Sequence, residues 1–302
     1  MKQWNAYKER VLDRVRLCCE KNVWPFDYDR FLIWLGNFTD NTDSPSMDEL
    51  VALYLLDRLV VRTTATAIAG YSRLIVNELR QAFIKEGILP KEISINELKK
   101  QLRTYPGSLG INFTPVTFEG DQGDSGPSLY RRLHPIYRTD ATFKKEPKAI
   151  IYVDDCLGTG NQFDTFLKKV NPVELYPNSA IFYCPLIAYK ATLERLRTEQ
   201  PDITILPVEI IDEDVFPFSE NEYGTVISQH LGVSISQLEE HYLKMFYEYC
   251  GAQGFSDYWS GYGGICMPII FEWGCPNNIP GILHMDRSGK IESWQQLFLR
   301  RS

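Results

Sequence analysis

Apolar side chains recur every three or four positions through the first hundred residues, the period of helices with one buried face. Trp4, Tyr7, Val11, Val15 and Cys18 form the first such stripe, and Phe31, Trp34 and Leu35 a second. Ser46-Met47-Asp48-Glu49 has the S-x-x-E form of a capping box, which satisfies the open N–H groups of a helix start. Behind it Leu50, Val51, Tyr54, Leu55 and Leu59 mark the next stripe. Residues 63–86 predict another helix, ended by Gly87 with Pro90 beyond. Ser94-Ile95-Asn96-Glu97 is a second capping box, opening a short helix toward Leu102. No metal-ligand or catalytic spacing occurs here, and the expected role is a packed helical layer.

After Pro106-Gly107 and Gly110 the period changes. Ile111, Phe113, Pro115, Thr117 and Phe118 suggest a strand, and Leu129 to Leu133 a helix. Ala149 to Val153 is an unbroken apolar run between Lys148 and Asp154, which reads as a strand buried on both faces. Phe163, Phe166 and Leu167 then return to helical spacing. A strand at 180–188, a helix carrying Thr192, Leu193 and Leu196, and a strand at 203–208 follow in turn. Ser236-Gln237-Leu238-Glu239 reads as the cap of a helix bearing Tyr242, Met245, Phe246 and Tyr249, and Cys266 to Phe271 as a last strand. Strands alternating with helices predict βαβ units around a parallel sheet, so the fold class is α/β. The expected organisation is a helical N-terminal region over 1–105 and a sheet domain over 106–302.

Composition narrows the setting. A net charge of -7 lacks the basic footprint of a generic nucleic-acid binder. Seven scattered cysteines without a C-x-x-C pair argue against a disulfide scaffold or structural zinc and fit a reducing cytosol. No apolar run approaches the roughly 18 residues of a membrane span, and the N-terminus does not have the form of a signal peptide. The expectation is a cytoplasmic protein with no membrane partner.

The chemistry concentrates where the 149–153 strand ends. Asp154 and Asp155 come first, then Leu157, Gly158, Thr159, Gly160, Asn161 and Gln162 lead into the next helix. A helix N-terminus with glycines before it suits a phosphate, because open N–H groups point at it and no Cβ intervenes. Carboxylates would repel that phosphate but accept hydrogen bonds from a vicinal diol. A sugar 5-phosphate satisfies both halves. The competing patterns fit less well. A Rossmann turn needs glycine or alanine at Phe163, a P-loop needs Lys before Ser or Thr, and the first methyltransferase motif usually has glycine at Leu157. An ordinary strand-to-helix turn with solvated acids is the remaining reading.

Residues 150–160, Ile-Ile-Tyr-Val-Asp-Asp-Cys-Leu-Gly-Thr-Gly, resemble the signature of type I phosphoribosyltransferases for phosphoribosyl pyrophosphate (PRPP). The resemblance implies that Asp154 and Asp155 hold the ribose hydroxyls and, as catalytic groups, favour an oxocarbenium-like state. It implies that Leu157 to Gln162 hold the 5′-phosphate, and that Mg²⁺ arrives through the bound pyrophosphate. The glycine-rich stretch 119–128 corresponds to the family's pyrophosphate loop, with Ser125, Gly126 and Ser128 as its candidates and Arg131 or Arg132 as charge partners. A surface loop of the same composition is the alternative.

One departure stands out. Ordinary type I enzymes place extra strands and a long catalytic loop between the two binding loops, whereas here some fifteen residues join the 129–133 helix to Ala149. Farther on, Trp273 is positioned to stack on a base and Asn277 or Asn278 to read its edge, with a rigid Asn-Pro turn as the alternative. The helical start, Ser-Gly loop, Val-Asp-Asp motif, Phe-Tyr-Cys-Pro-Leu strand and Pro-Asn-Asn ending together resemble phosphoribosyltransferase-like proteins of bacterial conflict systems. That resemblance implies a PRPP- or nucleotide-binding effector or regulator in antiphage defence, acting beside a partner protein. Two functions follow from it: transfer of ribose 5-phosphate to an acceptor, or a non-catalytic nucleotide or PRPP sensor that controls the partner.

Overall fold

The computed structural model describes residues 2–39, 45–118, 125–138, 146–250, 258–286, 288 and 292–298. The chain divides into two compact units, one made of Met1–Thr63 with Asp212–Arg301 and the other of Thr64–Ile211. Residue 105, the boundary expected from the sequence, falls inside the second unit.

The first unit begins with α1 (Lys2–Glu20), α2 (Tyr28–Leu35), α3 (Met47–Arg58) and the short β1 (Val60–Arg62). The expected capping box is formed, with Ser46 Oγ accepting from the Glu49 N–H at 3.1 Å. Every residue of α3 from Glu49 to Asp57 is buried, so its polar members need partners. Lys8 pairs with Glu49, and Arg10, Arg14 and Tyr223 converge on Asp57.

The second unit opens with α4 (Thr64–Leu74), a π-helical turn (Ile75–Leu79) and α5 (Arg80–Lys85). The helix expected over 63–86 therefore exists, with a bulge in its middle. α6 (Ile95–Thr104) follows, capped by Ser94 as expected. Then come β2 (Ile111–Pro115), α7 (Ser125–Arg132), β3 (Ala149–Leu157), α8 (Asn161–Val170), α9 (Pro172–Leu175), β4 (Ala180–Tyr189), α10 (Lys190–Glu199), β5 (Ile203–Ile205) and β6 (Glu209–Ile211).

The strands form a parallel sheet in the order β2-β3-β4-β5, with β6 also on β4. The strand expected at 203–208 is shorter and continues as β6. Leu206 and Val208 still donate to Tyr183 and Pro185 carbonyls of β4. Pro207 between them turns its donorless nitrogen to the outer edge, where a proline costs no ladder bond. One sheet face packs on α8 and α10 through Tyr152, Tyr183, Phe163, Phe166, Leu193 and Leu196. The other meets α5, where Phe83 sets its ring edge-on to Phe182.

The chain returns to the first unit with α11 (Glu222–Leu231), α12 (Ile235–Cys250) and β7 (Ile269–Phe271), which pairs parallel with β1. The cap of α12 lies two residues earlier than expected. Ser234 Oγ accepts from the Gln237 N–H, and Gln237 Oε1 accepts from the Ser234 N–H, so the box is Ser234–Gln237. The strand expected from Cys266 begins only at Ile269. Cys266 has a φ of 51°, a left-handed conformation no strand can contain. No helix among the described residues is long and apolar enough to cross a membrane.

Candidate functional site

β3 is the inner strand that carries the acids. Its residues Ala149 to Asp155 are all buried, and both neighbours run parallel to it. Asp154 stands opposite Pro185 of β4, toward the carboxyl end where parallel sheets bind ligands. The strand extends through the acid pair to Leu157, farther than the apolar run predicted.

Asp154 is 1 % exposed and its carboxylate is well coordinated. Oδ1 accepts from the Asp155 N–H at 2.9 Å, and Oδ2 accepts from the Tyr183 hydroxyl at 3.0 Å. Burial, then the Asp154 charge, push the Tyr183 hydroxyl well above its ordinary pKa, so it stays a donor. Tyr183 also stacks face to face on Phe163 of α8, with centroids 3.8 Å apart and planes 8° from parallel. Asp155, 6 % exposed, is the next residue on the strand. Burial and both neighbouring carboxylates push the Cys156 thiol up, away from the reactive thiolate.

The turn after β3 is compact. Leu157 is 1 % exposed and contributes its side chain to the core, so that side chain is not offered to a ligand. Gly158 is buried and Thr159 half-buried, while Asn161 and Gln162 are exposed on the first turn of α8. Gly160 is the N-cap of α8 with φ 85°, a left-handed conformation natural to glycine. As a glycine it supplies no side-chain cap, unlike Ser46 and Ser94 at α3 and α6. The Asn161 N–H makes a long bond, 3.4 Å, to Thr159 Oγ1, and a helix start of this kind suits a phosphate.

Two residues that the sequence did not single out support this junction. Arg195 of α10 donates to the Thr159 carbonyl at 3.3 Å and pairs with Asp164 of α8 at 2.9 Å. Tyr71 of α4 points its hydroxyl at the Cys184 carbonyl, 2.5 Å away, with the Asp154 carbonyl at 3.3 Å. Both act across more than thirty positions of chain, a separation at which spacing carries no signal.

Part of the expected pyrophosphate loop reaches the same place. Gly126, in the first turn of α7, lies so near Asp154 that a Cβ on it would sit 3.4 Å from Oδ1 and 3.0 Å from the Val116 carbonyl. Residues 119–124 and the side chain of Ser125 lie outside the described residues. Ser128 is buried and its hydroxyl accepts from Arg131 at 3.2 Å; Arg131 itself is exposed in the last turn of α7.

The chain matches the PRTase-CE family over residues 31–300. It belongs to that family. This phosphoribosyltransferase-like assignment covers both units and agrees with the parallel sheet and the acid pair at its carboxyl edge. Among curated proteins none matches the chain.

The three residues expected to read a base belong to the first unit of this PRTase-CE protein, whereas Asp154 and Asp155 belong to the second. Trp273 is 3 % exposed and stacks on Phe271 at 5.0 Å, so its ring serves the packing of that unit. The Asn278 amide donates to the Tyr262 carbonyl, and the Asn277 carbonyl accepts from the Tyr262 N–H. These bonds give the Pro-Asn-Asn turn a structural role. Asn277 is exposed.

Proposed function

We propose that this protein binds PRPP or a related nucleotide at the carboxyl end of β3 and transfers ribose 5-phosphate from it to an acceptor. The observation that carries the reading is the junction itself. A buried interior strand delivers a carboxylate pair and runs, through a left-handed glycine that supplies no side-chain cap, into a helix start. The phosphate would lie on the N–H groups after Gly160, and the ribose diol would donate to the acid at the strand end. In transfer chemistry positive charge develops at the anomeric carbon as pyrophosphate leaves, and a fixed carboxylate nearby favours that state.

Among the described residues no three or more His, Cys, Asp and Glu side chains gather into a metal cluster. A Mg²⁺ ion would arrive with the pyrophosphate, as it does in many phosphate sites, and Asp155 is a hard oxygen donor of the kind this ion takes. When bound, it would neutralise charge on the leaving group.

A second reading has its own support. Between α7 and β3 lie only residues 133–148, and β2 is the one described strand paired on the far side of β3. A chain this short leaves little room for a catalytic loop, which favours a non-catalytic PRPP or nucleotide sensor controlling a partner protein. The resemblance to conflict-system proteins supports a place for either activity in antiphage defence, in the cytoplasm.

The deciding experiment incubates the protein with PRPP and Mg²⁺, following pyrophosphate release and binding heat together. Binding with release supports transfer, and binding without release supports the sensor. If neither PRPP nor any mononucleotide binds, the reading fails.

A further inference from the structure

We infer that the second unit carries a binding surface for single-stranded nucleic acid at the amino edge of its sheet, built from Lys99, Lys100, Arg103, Tyr105 and Lys148. It is independent of the function proposed above. β3 starts at Ala149, so roughly 16 Å of strand separates this edge from Asp154.

The chain as a whole has a net charge of -7, yet this edge is basic. α6 exposes Lys99, Lys100 and Arg103 and buries Leu98 and Leu102. Glu97 is the one acid of α6, and its Oε1 accepts from the Gln101 side chain at 2.6 Å. The Arg138 N–H donates to the Leu102 carbonyl at 2.9 Å and its guanidinium to the Thr104 carbonyl at 3.4 Å, which brings one more cation to the end of α6. The Lys148 N–H donates to the Gly110 carbonyl at 2.7 Å. Its side chain runs along Gly110, where a Cβ would sit 3.0 Å from Cγ and 3.3 Å from Cδ. Among the described residues no ion pair joins Lys99, Lys100, Arg103 or Lys148 to a carboxylate. Glu146, exposed, is the described acid nearest to Lys148 in sequence. Of the other neighbouring charges, Glu119, Asp121, Asp124, Asp140, Lys144 and Lys145 lie outside the described residues.

Along the chain from α6 to Gly110 comes an aromatic platform. Tyr105 ends α6 and is 54 % exposed, while the tip of its ring rests on buried Gly107, where a Cβ would sit 3.4 Å from it. Ser108 fixes the Tyr105 carbonyl from its N–H at 3.0 Å and its hydroxyl at 2.8 Å. An exposed tyrosine held in this way stacks on a base of any identity, and the cations beside it meet phosphates. Compensation of the α6 dipole accounts for Arg103 in the last turn. It accounts neither for Lys99 and Lys100 in mid-helix nor for Lys148. A duplex presents phosphates but no open base faces, so the tyrosine selects a single strand.

The experiment follows the fluorescence anisotropy of labelled oligouridylate and oligothymidylate with the full chain over a series of salt concentrations. Phosphate contacts from the four cations predict a slope of log affinity against log salt of about -2.8, and the double variant Lys100→Ala, Arg103→Ala should halve it. Lys21→Glu, in the first unit, makes the same change in net charge and should leave the slope unaltered. Tyr105→Ala should weaken binding by about tenfold at every salt concentration, and Tyr105→Phe, which keeps the stack, by less than about twofold. All these side chains are exposed, so the variants should keep the parent's melting temperature. Binding of either strand with these responses supports the proposal. It is overturned if neither strand binds at low salt, if the double variant behaves as Lys21→Glu does, or if Tyr105→Ala binds as the parent does. A duplex of equal length, or phosphatidylserine vesicles, bound as tightly as the strands would also overturn it.

Discussion

Arg195 lies directly over Gly160: a Cβ placed on that glycine would sit 2.5 Å from the Arg195 guanidinium and 3.0 Å from Thr192. The turn is therefore doubly restricted, by its left-handed φ and by the side chains of α10 above it. Gly160→Val should cost about 2 kcal/mol in urea unfolding, since an L-residue in the left-handed region costs roughly 1–2 kcal/mol before any clash. It should also abolish phosphate-dependent binding in calorimetry. Unchanged binding would make the turn purely structural.

Removing the arginine tests the same turn from above. Its pairs with Asp164 and Glu199 are partly exposed, and such pairs contribute only about 0–1 kcal/mol. Arg195→Ala should accordingly shift the melting temperature little. Loss of the bond to the Thr159 carbonyl frees the turn, and inorganic phosphate affinity should fall several-fold. Arg195→Lys should not restore it, because one ammonium cannot span Asp164, Glu199 and Thr159 as the guanidinium does.

The second unit should weaken in alkali. Burial holds the hydroxyls of Tyr71, Tyr137 and Tyr183 well above their ordinary pKa of 10.0. Each binds its proton more tightly folded than unfolded, so its contribution is complete below pH 10 and is lost as pH rises through the folded value. Stability should fall above pH 10 by about 1.4 kcal/mol per pH unit for each such tyrosine. Unfolding followed with the phenolate absorbance should show one cooperative step, and Tyr183→Phe should make the decline shallower. A gradual titration of all tyrosines near pH 10 in the folded state would contradict this.

The start of α12 offers a local test. Ser234→Ala should destabilise the first unit by about 1 kcal/mol, whereas Ser236→Ala should cost little. Ser236 is not the acceptor of the capping bond; its hydroxyl lies 3.0 Å from that of Ser234. Chemical unfolding of the two variants side by side checks the assignment.

Much of the local structure was legible because it depends on neighbours in the chain. The caps at Ser46 and Ser94, the helix after Gly160 and the buried run of β3 each follow from residues a few positions apart, where period and hydrogen-bond reach decide the outcome. The acid pair and the glycine turn were readable for the same reason, being contiguous. Where local signals competed, the reading slipped. Two serines near the start of α12 each sit three positions before an acid or amide, and only the helix start distinguishes Ser234 from Ser236.

What the tertiary structure decided is who shares a core with whom. Periodicity marks residues 64–85 as helical and apolar, yet it cannot say that Tyr71 and Phe83 cover the sheet rather than join the helices before them. It marks Trp273 as a large aromatic near a turn, while the stack on Phe271 makes it core. Strand pleating sends neighbouring side chains to opposite faces of the sheet, and only the structure shows Asp154 bonded to Tyr183, which in turn stacks on Phe163 of α8. Contact between residues tens of positions apart is a property of packing, which period and spacing along the chain do not encode.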